Sequence, residues 1–327
     1  MGRQSLYPLH FEPILRELIW GGRRLGTVLH KPIGCASDYA ESWEISDYHD
    51  KVSVVSNGPL AGTSLRDLID TRRLELLGPA IGPREPFPLL VKFIDAHQDL
   101  SVQVHPDDEK ARRLANDSGK TEAWVILDAE PGSLIYAGLK AGVGPEEFRR
   151  AIRSGEVEPL LHRFEARPGD SILVEAGTVH AIGAGVLLAE IQQMSDATFR
   201  VFDWNRMGAD GKPRELHIEQ AMESIDFQRG PVNPIKPKVV ESGENAMRER
   251  LAHSGYFALE RLTIRQSATV GRSDRFTILM GLRGRSEIVH DNQVVPLEFG
   301  QTVLLPAAVG ECPIRSSDGV VLTCVVP

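Results

Sequence analysis

Cysteine is scarce: Cys35, Cys312 and Cys324 are the three in 327 residues, and none forms a C-x-x-C pair. That excludes a disulfide framework, thiolate zinc and a thioredoxin-like motif, and it points to a reducing compartment. Long apolar runs are also missing. No stretch approaches the roughly 18 residues of a membrane span. The N-terminal MGRQSLYPLHFEP has no apolar core of a secretory signal, and Leu6 stands where myristoylation needs Ser or Thr. Positive charge is not in excess: 37 Lys and Arg face 45 Asp and Glu, a net of −8. Such a chain has no general attraction for nucleic acid or an anionic membrane. Any phosphate it binds must be gripped by a local cluster of Lys and Arg. The expectation is a cytoplasmic protein with neither nucleic acid nor membrane as partner.

What is present reads as globular. Hydrophobic residues make up 42% and charged residues 25%, and the length favours about two domains. The 30 glycines and 21 prolines exceed the usual combined share of about 12% and imply many turns between short strands. Helices are expected over 107–116, 144–161 and 214–225, where acids precede bases or apolar residues recur on one side. Short β-branched runs mark strands at 52–56, 89–94, 123–127, 134–136, 171–174, 186–192, 276–280, 286–289, 301–305 and 320–326. That spacing favours a sandwich or barrel. The three prolines of 229–238 mark a linker or surface crossing, and strand-like sequence follows to the C-terminus. RPGDSILVEAGTVHAI (167–182) and EFGQTVLLPAAVGECPI (298–314) resemble each other, a weak repeat suggesting two copies of one β-barrel module. Only the first copy carries a histidine, His180, in its turn.

Gln103 and His105 in SVQVHPDD lie two apart, on one face of a strand. Glu122 in GKTEAW and His180 in EAGTVHAIG follow. One amide oxygen, two imidazoles and a carboxylate suit an N/O metal site, and zinc tolerates two His plus a carboxylate with an open position. Each histidine alone reads more simply as a strand-end side chain satisfied by hydrogen bonds.

Context shifts that balance. From Gly169 to His180 the chain runs G-x5-E-A-G-T-V-H, which resembles the second metal motif of the cupin superfamily with Glu175 in place of proline. Gln103-x-His105 with Glu122 resembles the first, with Gln replacing a His. The strings LIWGGRRL, AESWEIS, PLLVKFIDAHQDLSVQVHPDD, GKTEAW, PGDSILVEAGTVHAIG and LLAEIQQMSDATFRVFDWNR, between about Trp20 and Arg206, together resemble type I mannose-6-phosphate isomerase in its short bacterial form. The resemblance implies a mainly β bicupin with short helical insertions. A metal-binding domain would span 1–230 and a metal-free cupin domain 231–327. It implies a zinc-dependent aldose–ketose isomerase, with one Zn2+ per chain held by Gln103, His105, Glu122 and His180. The reaction would interconvert mannose 6-phosphate and fructose 6-phosphate through a cis-enediol(ate). The partner is then a small sugar phosphate, and the chain a monomer or homodimer.

The same resemblance places Glu190 at the candidate base and gives Asp196 and Arg200 catalytic importance. Asp196 is either a second proton carrier or the partner that fixes Arg200. Arg200 suits an enediolate or a phosphate. Lys120, expected on the strand face of Glu122, and Lys92, an isolated cation in an apolar run, match active-site lysines. Ser101, Trp20 and Glu41 fall on substrate-binding positions, although Trp20 reads equally as a core aromatic. Glu175 and the Asp47-Tyr48-His49 turn depart from the family pattern, and the interval from Glu122 to His180 has room for only one or two helices. The rivals are another metal-dependent cupin enzyme, such as an Fe(II) oxygenase or a different sugar-phosphate isomerase, and a non-catalytic sugar-binding or regulatory cupin. The Lys92, Lys120 and Arg200 cluster argues against an oxygenase acting on neutral substrates, and the complete ligand set against the second rival.

Overall fold

The computed structural model describes residues 5–83, 85–207 and 211–327, so the first four residues of the N-terminal segment lie outside it. Two antiparallel sandwiches follow one another along the chain. The larger sheet of the first runs β1 (Ile14–Gly22), β2 (Tyr39–Ile45), β5 (Leu89–Ala96), β12 (Val186–Gln193), β7 (Glu122–Ala129), β10 (Ser171–Val174). Its companion runs β13 (Phe199–Phe202), β6 (Val102–Val104), β11 (His180–Ile182), β8 (Leu134–Leu139), β9 (Leu161–Glu165). In the second sandwich the larger sheet is β14 (Lys238–Ser242), β15 (Ala246–His253), β16 (Ala258–Ile264), β23 (Val320–Val325), β18 (Thr277–Arg283), β21 (Thr302–Leu305). Its companion is β17 (Ser267–Val270), β22 (Cys312–Arg315), β19 (Arg285–His290), β20 (Gln293–Glu298). A small hairpin joins β3 (Asp47–Tyr48) to β4 (Lys51–Val52).

The strand orders of the two sandwiches correspond one to one, with β13 as the single addition. The weak repeat falls on equivalent places: β10 and β11 in one sandwich, β21 and β22 in the other. This is the mainly β bicupin that the motifs imply.

The two larger sheets pack back to back. Leu187, Ala189 and Ile191 of β12 enter one core with Leu259, Ile278, Met280 and Leu322 of the second sandwich. Val186 and Leu188 point the other way, into the first sandwich with Trp124 and Ile182. Burial on both faces makes β12 read as a continuous apolar run, broken only by Glu190 and the glutamines after it. Glu190 and Gln192 share the inward face with Leu188, because strand side chains alternate.

Among the described residues five helices decorate the sandwiches: α1 (Arg24–Thr27), α2 (Leu65–Leu77), α3 (Asp108–Leu114), α4 (Pro145–Ser154) and α5 (Ile218–Ser224). The expected 107–116 helix starts later because the Asp107 side chain accepts the Lys110 N–H and caps it. The expected 144–161 helix ends at Ser154, where Gly155 turns left-handed, and only a 3-10 turn at Glu158–Leu160 continues it. The 214–225 helix shrinks to α5. Helix α2 escapes the sequence reading: Ser64 caps it, but Arg72 leaves the helical region and breaks the apolar period. The strand expected at 52–56 reduces to the end of β4 plus single bridges at Val54 and Val55. The segment 229–238 is a surface crossing strapped to the first sandwich. There the Val232 N–H donates to Ala137 and the Ile235 N–H to Ser171, at 3.0 and 2.8 Å.

Candidate active site

Register brings the expected ligands together. Gln103 on β6 lies opposite His180 on β11 and opposite Arg200 on β13. From the facing sheet Glu122, the first residue of β7, lies opposite Gln192. His105, Glu122 and His180 are buried, with one ligand atom from each within 4.8 Å of the others. The Nε2 atoms of His105 and His180 stand 3.4 Å from opposite oxygens of Glu122. Each imidazole turns its Nδ1 to a backbone carbonyl, Ala197 at 2.8 Å and Thr178 at 2.9 Å. A carbonyl only accepts, so Nδ1 carries the proton and each Nε2 points its lone pair inward. Burial holds both histidines neutral, with His105 pushed down to about 3. The Gln103 amide reaches His180 Nε2 at 3.4 Å and is held from behind by Ser101 Oγ, which donates to its Oε1 at 3.2 Å.

The donor set fits a divalent cation. The buried Glu122 carboxylate lies between two inward-facing imidazole nitrogens, and the cluster already draws positive charge. The Lys120 ammonium stands 3.1 Å from both Glu122 Oε2 and His105 Nε2. Burial alone would lower Lys120, but Glu122, Glu190 and Asp196 raise it. Lys120 reaches the cluster from the loop before β7 and not from the strand itself, a correction to the expected strand face.

Beside the cluster lies a cavity of about 310 Å³. Of the twelve residues singled out from sequence, all but His105 line it; His105 sits behind, against Glu122. On its floor Lys92 and Glu190 are cross-strand partners, with Lys92 Nζ 3.5 Å from Glu190 Oε1 and 3.8 Å from Glu41 Oε2. The ammonium also lies over the Trp43 ring, 4.9 Å from its centroid. Trp124, next to Glu190 on β7, donates its indole N–H to Glu190 Oε2 at 2.9 Å. Glu190 Oε1 accepts no hydrogen bond. Burial first, then the charge of Glu122, push Glu190 up to about 7, against the pull of Lys92 and Lys120. Glu41 goes the other way. Burial would raise it, but Lys92 and the Trp43 indole, which donates at 2.6 Å, hold it low.

The cavity mouth is cationic. Arg200 donates to Ser101 Oγ at 3.1 Å and to the Glu215 carbonyl at 2.8 Å. Burial and neighbouring Arg214 lower its pKa. Asp203 holds Arg214, its Oδ2 accepting from Nε at 2.7 Å. Asp196 is exposed at the rim and does not pair with Arg200, so its expected role as the fixing partner fails: Ser101 and Glu215 hold that guanidinium instead. Trp20 is a buried wall. Sequence reasoning missed Trp124, Arg16 and Arg214. Trp124 was findable, two residues after Glu122 on the same strand face. Arg214 lies outside any strand, where no periodicity marks it.

The family model described as phosphomannose isomerase type I, catalytic domain, matches residues 9–124, and that for the mannose-6-phosphate isomerase cupin domain matches 248–325. Mannose-6-phosphate isomerase ManA of Bacillus subtilis (strain 168) is 37% identical over 93% of this chain and 94% of its own. Mannose-6-phosphate isomerase of Streptococcus mutans is 34% identical over 91% and 92%. A crystal structure of mannose 6-phosphate isomerase from Bacillus subtilis superposes with a TM-score of 0.89 at 32% identity, covering 98% of this chain and all of that one. With such identity over nearly the whole of both chains, this protein belongs to the type I phosphomannose isomerases.

Proposed function

We propose that this isomerase interconverts D-mannose 6-phosphate and D-fructose 6-phosphate, moving a proton between C2 and C1 through a cis-enediol(ate). The observation that carries the reading is Glu190: a buried carboxyl with one oxygen tethered and one free, beside a His/Glu/His cluster and beneath a cationic mouth. Gln103, His105, Glu122 and His180 would hold one zinc ion. Bound there, zinc supplies Lewis acidity toward the substrate's oxygens. Three neutral ligands and one carboxylate keep the site near +1, which favours a developing enediolate.

Glu190 Oε1 removes the proton from C2 and returns it to C1. A carboxyl poised near 7 both accepts and releases a proton at neutral pH. The Trp124 indole holds Oε2 and leaves Oε1 without a hydrogen bond, 3.5 Å from the Lys92 ammonium, which favours the ionised carboxylate against its burial. Arg200 and Arg214 grip the phosphate at the mouth, since the deeper Lys92 is engaged by Glu41 and Glu190. Lys120 stabilises negative charge beside the cluster, and Trp20, Glu41 and Ser101 shape the sugar site. Asp196 is the second proton carrier to test. The same reading keeps 1–230 as the metal-bearing domain and 231–327 as the metal-free one.

The test is a coupled assay of mannose 6-phosphate isomerisation with metal analysis of the same sample. Turnover tracking zinc content is expected. Turnover that persists in metal-free protein would overturn the zinc reading, and no turnover in zinc-loaded protein would overturn the activity.

A further inference from the structure

The second sandwich carries its own cavity, of about 1120 Å³, against about 310 Å³ for the first. Register shows where it sits. Glu260 on β16 lies opposite Thr323 on β23, and Thr323 opposite Leu279 on β18. In the first sandwich Lys92, Glu190 and Trp124 make the same row. Two residues before Leu279 stands Thr277, as Glu122 stands two before Trp124. The larger cavity therefore occupies, in the second barrel, the place of the active cavity in the first. Glu260, Thr323 and Thr277 replace Lys92, Glu190 and Glu122.

The row is furnished for a ligand. Thr277 is 3% exposed, lines the cavity, and its hydroxyl has no hydrogen-bond partner. It shares the inward face of β18 with Leu279, while Ile278 and Met280 point to the core between the sandwiches. Beside it Arg248 stands 3.4 Å and Arg250 4.0 Å from opposite oxygens of Glu260.

The chemistry narrows the ligand class. No His or Cys lines this cavity among the described residues, which excludes the donor set of a transition metal. Five acidic side chains line it against two arginines, which disfavours phosphate. Carboxylate, guanidinium and hydroxyl groups line the cavity together and match a molecule whose neighbouring hydroxyls each donate and accept. Ala246, Ala258 and Val325 supply small apolar surface between them. The volume lies just above the usual range of about 300–1000 Å³ for small-molecule sites, enough for more than one sugar ring. We propose that the second barrel binds a neutral, unphosphorylated oligosaccharide in this cavity, independently of the isomerase site.

Ligand-observed NMR on the zinc-loaded full chain tests this, using mannobiose, cellobiose and maltose with saturating mannose 6-phosphate present. At least one disaccharide is expected to bind with a Kd of about 1 mM. Glu260→Gln and Thr277→Val should each weaken it about tenfold, Thr277→Ser should keep it, and isomerase turnover should stay unchanged as the check of folding. Three results would overturn the proposal: no disaccharide bound by the wild-type chain, binding displaced by mannose 6-phosphate, or binding untouched by the substitutions. Binding of spermidine or inorganic phosphate in place of the sugars would overturn it as well.

Discussion

Lys92 and Glu190 face each other across β5 and β12, both buried, with their charged atoms 3.5 Å apart. Glu41 shares the same ammonium at 3.8 Å. One cation thus serves two carboxylates, and only Glu190 is left with a raised pKa. Replacing Lys92 by Met keeps the volume but strands buried Glu190 and half-buried Glu41. A loss of about 3–5 kcal/mol in urea unfolding is expected. The double variant Lys92→Met/Glu190→Gln should recover part of it. Strict additivity of the two single effects would show that the pair is not coupled.

If Glu190 carries the proton, Glu190→Gln should lower kcat by about 10²–10⁴ while zinc stays bound. The amide keeps a group of similar size beside the Trp124 indole, so secondary structure by circular dichroism should not change. Wild-type turnover in this variant would transfer the role to Asp196.

The raised Glu190 sets a pH dependence with two signs. Between its ordinary 4.5 and about 7 the folded chain keeps a proton that the unfolded chain has released. Its contribution to stability is full below 4.5 and is lost as pH rises through 7. Activity runs the other way, because the base must be ionised. The acid limb of kcat/KM should therefore have a midpoint at or below about 7, lower with zinc bound because a divalent cation favours the carboxylate. In metal-free protein, Glu190→Gln should gain stability over wild type at about pH 8 relative to about pH 5. An acid limb unchanged in residual Glu190→Gln activity would assign it to another group.

Removing metal should abolish turnover and lower the melting temperature, because a ligand bound only by the folded state stabilises it. His105 and His180 already present their lone pairs inward, so added zinc should restore both without refolding. Restoration that needs denaturation first would mean the empty site collapses.

At the mouth, Arg214→Ala should raise KM for mannose 6-phosphate with little change in kcat if it holds phosphate alone. A drop in kcat at constant KM would move it into transition-state work.

Much of the site is legible in the amino-acid sequence because strand alternation is a local rule. Gln103 and His105, two apart in SVQVHPDD, already share one strand face, and the resemblance of their motif and of Glu122 and His180 to the cupin motifs implies a metal. Lys92 is conspicuous as one charge in an apolar run. The repeat of 167–182 at 298–314 marks the second sandwich. Less local features do not show. Helix α2 is hidden by the kink at Arg72, and the double burial of β12 depends on a sheet contributed by the far end of the chain.

The sequence by itself therefore determined the residue types, their spacing and the fold class, since these follow from periodicity and side-chain chemistry. Only the tertiary structure decided which charges meet. Pairing of β5, β12 and β7 puts Lys92, Glu190 and Trp124 in one row, tethers one carboxylate oxygen and frees the other. It also left Asp196 at the rim, apart from Arg200, and gave the second barrel the same row with Glu260 and Thr323 in it. Such meetings rest on contacts between segments distant in the chain, which no local pattern encodes.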